Sequence, residues 1–438
     1  MKEKEALKMT IPMSVSEKTR RIAHHYLYGS YFSVKAMIKW LVFAAMIGVI
    51  VGVVASAFSH ALIAVNAFRA GHPAVVLALP LGGLLIVFLY RFFHDADDKG
   101  TNMVISSIHS SSNIPFRMAP LIFVSTVITH LCGGSAGREG AAIQLGGSIA
   151  NKIGKQMKLS ANDQHIIIMC GMSAGFSALF GTPLAATIFS LEDISVGIMH
   201  YSALVPCVTA SMIGHFVAEF MKVPPEVFPV AGVPAMEAAM FFKVVLLSAL
   251  FGAVSILFCM ILHQAEHLYA HYLKNTYARI FAGGVLVLVA SGLLGTDQYL
   301  GSGMGIIEHI FHEGETGKLT FLLKMVFTAL TLGAGFKGGE IVPSLTIGAA
   351  FGCIMAPLFN LPVSLTAACG MAGVFCGVTN CPITSLLISF ELFGFEGMPY
   401  YLTAVAVSYM LSGYYGLYHA QKIMYSKTET HFINTVTH

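Results

Sequence analysis

Charge is what this sequence has least of. Asp, Glu, Lys and Arg together make up 11% of the 438 residues, against roughly 25% in an ordinary soluble domain. Too few charges remain to cover a water-facing surface, which excludes a soluble globular or a disordered protein. The formal net charge is only +3, so nothing implies a polyanionic partner such as nucleic acid. The apolar runs do not alternate with polar residues, as the strands of a membrane β-barrel would. The spacing of the eight cysteines, all in apolar stretches, suits no zinc knuckle, and buried reduced thiols are the expectation. No short cleavable leader is visible either.

What is there is apolar length. Crossing the hydrocarbon core takes about 20 apolar residues as a helix. Residues 40–68, 194–218 and 244–265 contain no Asp, Glu, Lys or Arg at all. The chain therefore reads as an all-α polytopic membrane protein forming one large domain. Residues 1–39 carry eight Lys and Arg, and the positive-inside tendency places that segment in the cytoplasm, as a surface helix or a solvated tail.

Self-similarity organises the rest. Cys170-Gly171-Met172, then Phe176, Pro183, Ser190 and Glu192, recur 199 positions later as Cys369-Gly370-Met371, Phe375, Pro382, Ser389 and Glu391. Upstream, Gly134, Glu139 and Gly147 match Gly335, Glu340 and Gly348 at an offset of 201. The expected division is a first membrane half over 40–220, a second over 221–420, and a short tail over 421–438 without a regulatory domain. Repeated halves with Gly- and Pro-interrupted apolar segments mark a secondary transporter or channel. Residues 341–390 fit that reading: fifty residues without a charge, broken by Pro343, Pro357, Pro362 and Pro382. Short, tilted or broken helices are expected there, since broken backbone at membrane depth survives only when packed or lining a cavity. Their N-termini can aim free N–H groups at an anion.

The densest chemical signal is Gly133-Gly134-Ser135-Ala136-Gly137-Arg138-Glu139-Gly140. Glycines expose backbone amides and Arg138 adds positive field. A carboxylate at a helix start, as Glu139 would be, can occupy an anion site and leave it on protonation, which is what coupling anions to protons requires. The alternative is a structural ion pair between Arg138 and Glu139. A different class of function is spelled by His263-Gln264-Ala265-Glu266-His267. This H-x-x-E-H run, with His271 one turn on, serves some zinc proteases, but it stands outside both repeats at the end of a charge-free span. No metal, no cofactor and no enzymatic activity is the expectation.

Gly137-Arg138-Glu139-Gly140 followed by Ala141-Ala142-Ile143-Gln144 resembles the GREGP-x-x-Q motif of the CLC family of chloride channels and anion/proton antiporters. Gly339-Glu340-Ile341-Val342-Pro343 stands in the place of that family's G-x-F-x-P motif, and Gly100-Thr101-Asn102-Met103-Val104 in that of G-S-G-I-P. Gly416-Leu417-Tyr418 resembles the late segment that supplies the pore tyrosine. The likeness extends over roughly residues 40–425. It implies an inverted repeat of short, tilted and broken helices around an anion pathway, in a homodimer with one pathway per subunit. Glu139 would be the gating carboxylate that trades places with anions as it gains and loses protons. Thr101, Asn102, Met103, Gly137, Arg138, Gly140, Ile341, Val342 and Tyr418 would bind the anion.

The departures point to one branch. Asn102 in the first motif, and Glu340 and Ile341 where chloride-type members carry an apolar residue and phenylalanine, look like the fluoride/proton antiporters. That branch usually has threonine before the proline, where this chain has Val342. Fluoride is small and strongly hydrated, so its site needs more or stronger donors; Asn102 supplies one and Val342 none. The expected partners are a halide and protons within a lipid bilayer, leaning to fluoride, with chloride/proton exchange or a passive chloride channel as alternatives. Chloride-coupled relatives have an inner proton-transfer glutamate where this chain aligns Asp193; the other reading of Glu192-Asp193 is a solvated pair at a helix end. Glu340 is the further candidate for a second proton site. A multi-pass protein of the bacterial plasma membrane is expected, with both termini cytoplasmic, because the large tail of eukaryotic relatives has no room after the last apolar segment.

Overall fold

The computed structural model describes residues 15–95, 99–110 and 114–437, with the side chains of residues 15–33 outside the description. Of the N-terminal segment expected at 1–39, the first fourteen residues lie outside the described residues. The rest of that segment is not a separate tail. It is the start of α1 (Val15–Gly71), whose 57 residues make one helix, about 85 Å long at 1.5 Å per residue. The helix passes residues 39 and 40 without a break, and its candidate membrane-crossing part is Val34–Gly71.

The first half continues through α2 (Leu79–Phe92), α3 (Thr101–Ser110), α4 (Met118–Leu131), α5 (Glu139–Gln156), α6 (Ala161–Phe180), α7 (Pro183–Glu192) and α8 (Leu204–Phe220). The second runs through α9 (Ala238–Tyr272), α10 (Thr276–Leu294), α11 (Met304–Glu313), α12 (Thr320–Leu332), α13 (Ile341–Phe359), α14 (Val363–Thr379), α15 (Pro382–Phe393) and α16 (Met398–Leu411). Among the described residues, eight α-helices precede residue 221 and eight follow it. Six helices among the described residues are long and apolar enough to cross a membrane. Side chains such as Phe220 and Leu293 stand 87% and 83% exposed, as suits a surface facing lipid rather than water. The uncharged stretch 341–390 breaks into α13, α14 and most of α15. Local chemistry sets the breaks: α13 and α14 each end on an asparagine in the left-handed region, Asn360 and Asn380, and α15 opens on Pro382, whose missing N–H costs nothing at a first helical position.

The two halves are related by a two-fold operation with the helices antiparallel. Glu192, the last residue of α7, accepts hydrogen bonds from Ile383 and Thr384 N–H at the start of α15. Glu391, near the end of α15, accepts from Leu184 and Ala185 N–H at the start of α7. Each helix therefore meets the other's opposite end. Glu192 and Asp193 are not a solvated pair at a helix end: Glu192 is 6% exposed and Asp193 fully buried.

The upstream register of the repeat differs by one residue from the sequence match. Gly137 and Gly339 pair in an antiparallel bridge, Arg138 and Glu340 are the N-caps of α5 and α13, and Gly146 and Gly348 are the close-contact glycines against Gly171 and Gly370. The spatial offset is thus 202, so Glu340 stands opposite Arg138, and Glu139 opposite Ile341. Matching like residues had paired the two glutamates and Gly147 with Gly348. The symmetry axis pairs positions instead.

A small sheet adds to the helices. β1 (Ser195–Val196), β2 (Lys422–Tyr425) and β3 (Phe432–Val436) form three strands in that order, β1 parallel to β2 and β2 antiparallel to β3. The segment expected as a plain tail over 421–438 is therefore stitched to the end of the first repeat.

Candidate functional site

The site forms where the two halves' glycine-rich loops cross. Gly137 N–H donates to Gly339 O at 2.6 Å and Gly339 N–H to Gly137 O at 2.8 Å. The crossing needs hydrogen at both α-carbons. A methyl on Gly137 would lie 3.0 Å from Gly339 O and against Glu139 Oε2, and one on Gly339 would lie 2.7 Å from Gly140 N. The bridge brings the N-terminus of α5 and the N-terminus of α13 face to face. Both helices thus turn their free amides and positive dipole ends toward one point.

Glu139 occupies that point. Its carboxylate, on the first residue of α5, is fully buried. Oε2 accepts from Arg138 N–H at 3.0 Å and from Val342 N–H, on the opposing helix, at 3.3 Å. Oε1 has no hydrogen-bond partner, although Arg138 Nε stands 3.8 Å away. A carboxylate oxygen is here doing what a small anion would do between two helix N-termini. Arg138 is engaged elsewhere, because its guanidinium is bonded to Glu226. The sequence reading did not single out Glu226; it follows Pro224-Pro225 between α8 and α9, and no local pattern ties it to an arginine 88 positions earlier.

Arg138 and Glu340, at symmetry-related places, open on different spaces. Arg138 lines a cavity of about 380 Å³ with His130 and Glu226. Glu340 lines another of about 570 Å³ with Thr101, Asn102, Gln144, Tyr418 and Lys337. Glu139 borders neither and sits between them. In the larger cavity, Asn102 Oδ1 accepts Ala420 N–H at 2.9 Å, which leaves its amide N–H groups as the free donors. Tyr418 is 2% exposed and its hydroxyl has no partner. Thr101 Oγ1 accepts from Gln144 Nε2 at 3.2 Å and lies 3.2 Å from where a Gly140 methyl would be. The orphaned hydroxyl of Tyr418 and the buried, partnerless Oε1 of Gln144 mark a polar place without protein partners. Protein interiors seldom leave such groups unpaired. Met103 packs partly buried against the core, while Ile341 and Val342 are fully buried, so those two can offer an anion only backbone amides.

The structure thus brings together Glu139 with Gly137, Arg138, Gly140 and Val342, and separately Thr101, Asn102, Glu340 and Tyr418. Asp193 belongs to neither group. Gln421 Nε2 donates to its carbonyl at 2.9 Å and to its Oδ1 at 3.0 Å, fastening it to the strand segment β2. A further residue that went unnoticed is Lys324 on α12. It is fully buried and donates to Ser135 Oγ at 2.9 Å, Gly301 O at 2.8 Å and Tyr299 O at 3.2 Å. All three partners are neutral, so the buried amine is held by hydrogen bonds alone beside the glycine-rich loop. One lysine in a thirteen-residue apolar helix was the available signal.

Antiparallel duplicated halves, with helix N-termini converging on a buried carboxylate, define an integral multi-pass membrane protein built around an anion pathway. Residues 81–413 match the family model described as voltage gated chloride channel. The chain belongs to that CLC family and is a CLC-type anion transporter, not an enzyme. It is 36% identical over 396 residues to a chloride/fluoride channel protein of Pseudomonas syringae pv. tomato, covering 89% of this chain and 87% of the relative. The crystal structure of a CLC-type fluoride/proton antiporter superposes with a TM-score of 0.86 at 33% identity, over 89% of this chain and 98% of that one. A slow cyanobacterial Cl⁻/H⁺ antiporter matches in fold, with a TM-score of 0.74 at 20% identity, over 85% and 94% of the two chains.

Proposed function

We propose that the protein exchanges a halide, fluoride in preference to chloride, for protons. The observation that carries this reading is the Glu139 carboxylate between two helix N-termini, accepting Val342 N–H. When protonated, the group loses its hold on those amides and an anion can take its place; when the anion leaves, the carboxyl returns, releases its proton and accepts those amides again as a carboxylate. Arg138 bonds Glu226 and meets Glu139 only across 3.8 Å, so the ion pair that the departing carboxyl leaves behind is a weak one. Glu340, in the cavity on the other side of the bridge, is the second proton site of the scheme. Asp193 is given no proton step, because it lines neither cavity and is fastened by Gln421.

The anion would be held by the amides of Gly140, Ile341 and Val342, with Asn102, Thr101 and Tyr418 in the cavity beyond. The fluoride preference rests on Asn102, whose tethered carbonyl presents its amide donors, and on the fluoride/proton antiporter at 33% identity. The cradle closes within one chain, which supports one pathway per subunit of a homodimer. Both termini in the cytoplasm of a bacterial plasma membrane, and the division at 220/221, complete the reading.

In proteoliposomes, an imposed fluoride gradient should drive protons uphill. Fluoride flux without any proton movement would leave a passive channel. Chloride driving protons faster than fluoride does would reverse the selectivity. Val342→Thr adds one hydroxyl donor beside the cradle. A net hydrogen bond is worth about 1 kcal/mol, so the fluoride-over-chloride flux ratio should rise about fivefold. An unchanged ratio would mean that the side chain at 342 does not meet the ion.

A further inference from the structure

No group of three His, Cys, Asp or Glu placed to hold a metal ion occurs among the described residues, the His263–Glu266–His267 run included. It is nevertheless placed for chemistry. His263, Glu266 and His267 lie near the end of α9 and line a groove of about 600 Å³ together with Tyr415 and His419. Glu266 and His419 also line the cavity that contains Glu340. The wall between groove and cavity is therefore made in part by two titratable side chains. The ring of His263 lies against that of His419, tilted by 35° with centroids 4.1 Å apart, and His263 Nε2 is buried without a partner.

We propose that Glu266, flanked by His263 and His419, is the port through which protons pass from the side groove to Glu340. This rests on the exchange reading above and adds to it a separate door for protons. The anion's side of the cavity is lined by donors, Thr101, Asn102 and Tyr418, which favour a halide. The groove side is lined by imidazoles and a carboxylate, which carry protons and give a halide little to bind. Glu266 is exposed, so its carboxylate meets water in the groove and takes a proton there. The neutral carboxyl gives that proton through the cavity to the Glu340 carboxylate and is a carboxylate again. At several hundred Å³ the cavity has room for a chain of waters, each claiming about 30 Å³. The charged and titratable groups facing Glu266 are His263 and His267 on its own helix, Arg279 of α10, Tyr415, Tyr418 and His419 after α16, Lys99 before α3, and Glu340 with Lys337 across the cavity.

The test is coupled exchange in proteoliposomes, with fluoride and protons recorded together. Glu266→Gln keeps shape and removes the titratable group, and coupled proton flux should fall about tenfold or more. Glu266→His restores a titratable group of different shape and should recover a large part of it. A residue that merely shapes the wall would respond in the opposite way, tolerating Gln and not His. Wild-type flux in Glu266→Gln, or equal loss in both variants, would overturn the port. Absence of coupled proton movement in the wild-type protein would overturn the exchange reading itself, a result distinguishable from exchange that survives in Glu266→Gln.

Discussion

Glu139→Gln should abolish proton coupling outright: a fluoride gradient that drives protons uphill through the wild-type protein should drive none through this variant. Glutamine has nearly the volume of glutamate, and its carbonyl oxygen can still accept Val342 N–H, so the crossing of the two loops is preserved. What disappears is the exchangeable proton. The loss should exceed a hundredfold in proton flux, down to the leak of protein-free vesicles. Anion movement should persist, because the neutral amide holds the two helix N-termini less strongly than a carboxylate does: hydrogen bonds to an ionised acceptor are roughly twice as strong as neutral ones. The wild-type rate should climb as pH falls, since acid favours the protonated gate, and the variant's anion flux should be flat with pH. Fluoride and pH electrodes on one vesicle suspension decide the matter. Uphill proton movement surviving in the variant would take Glu139 out of its role.

The loop crossing around Glu139 was legible in the sequence because its parts are contiguous. Glycines that let backbones approach, an arginine, and a glutamate opening an apolar stretch lie within eight residues, and their meaning follows from the chemistry of helix N-termini. The apolar runs and the fragmentation of 341–390 were legible for a similar reason, since length and proline position act locally. What was not legible depends on partners far apart along the chain. Glu226 reaches Arg138 across 88 positions and Gln421 reaches Asp193 across 228. The one-residue slip in the repeat has an equally physical cause. Like residues draw a sequence match together, whereas the bridge between Gly137 and Gly339 pairs an arginine cap with a glutamate cap. Opposite charges at symmetric places give the two sides of the bridge different chemistry. Sequence similarity between the halves therefore misleads at this position.

The acidic residue that closes each repeat should prove structural, with a large effect on stability and none on coupling. Pro183 and Pro382 open α7 and α15, and proline has no N–H, so the next two amides of each helix are the ones left to satisfy. Glu391 takes those of Leu184 and Ala185 at 2.8 and 2.9 Å. Glu192 takes those of Ile383 and Thr384 at 3.1 and 2.9 Å, and the Thr384 hydroxyl at 2.8 Å. Water cannot replace the acceptor at Glu192, which is 6% exposed. Removing it leaves two amides and a hydroxyl unpaired, each costing about 1–3 kcal/mol, so Glu192→Ala should destabilise by at least about 3 kcal/mol. Glu391 is less buried and accepts two bonds, so Glu391→Ala should cost about 2 kcal/mol, the low end of the same scale. Glu192→Gln keeps one oxygen and should fall between wild type and Glu192→Ala. Thermal melting in detergent reads these differences, and the ratio of protons to anions measured on whatever protein survives should match the wild type. An altered ratio in Glu192→Ala with an unchanged melting temperature would assign the residue to the proton path instead, and the reciprocal capping would then be incidental to why both halves end on an acid.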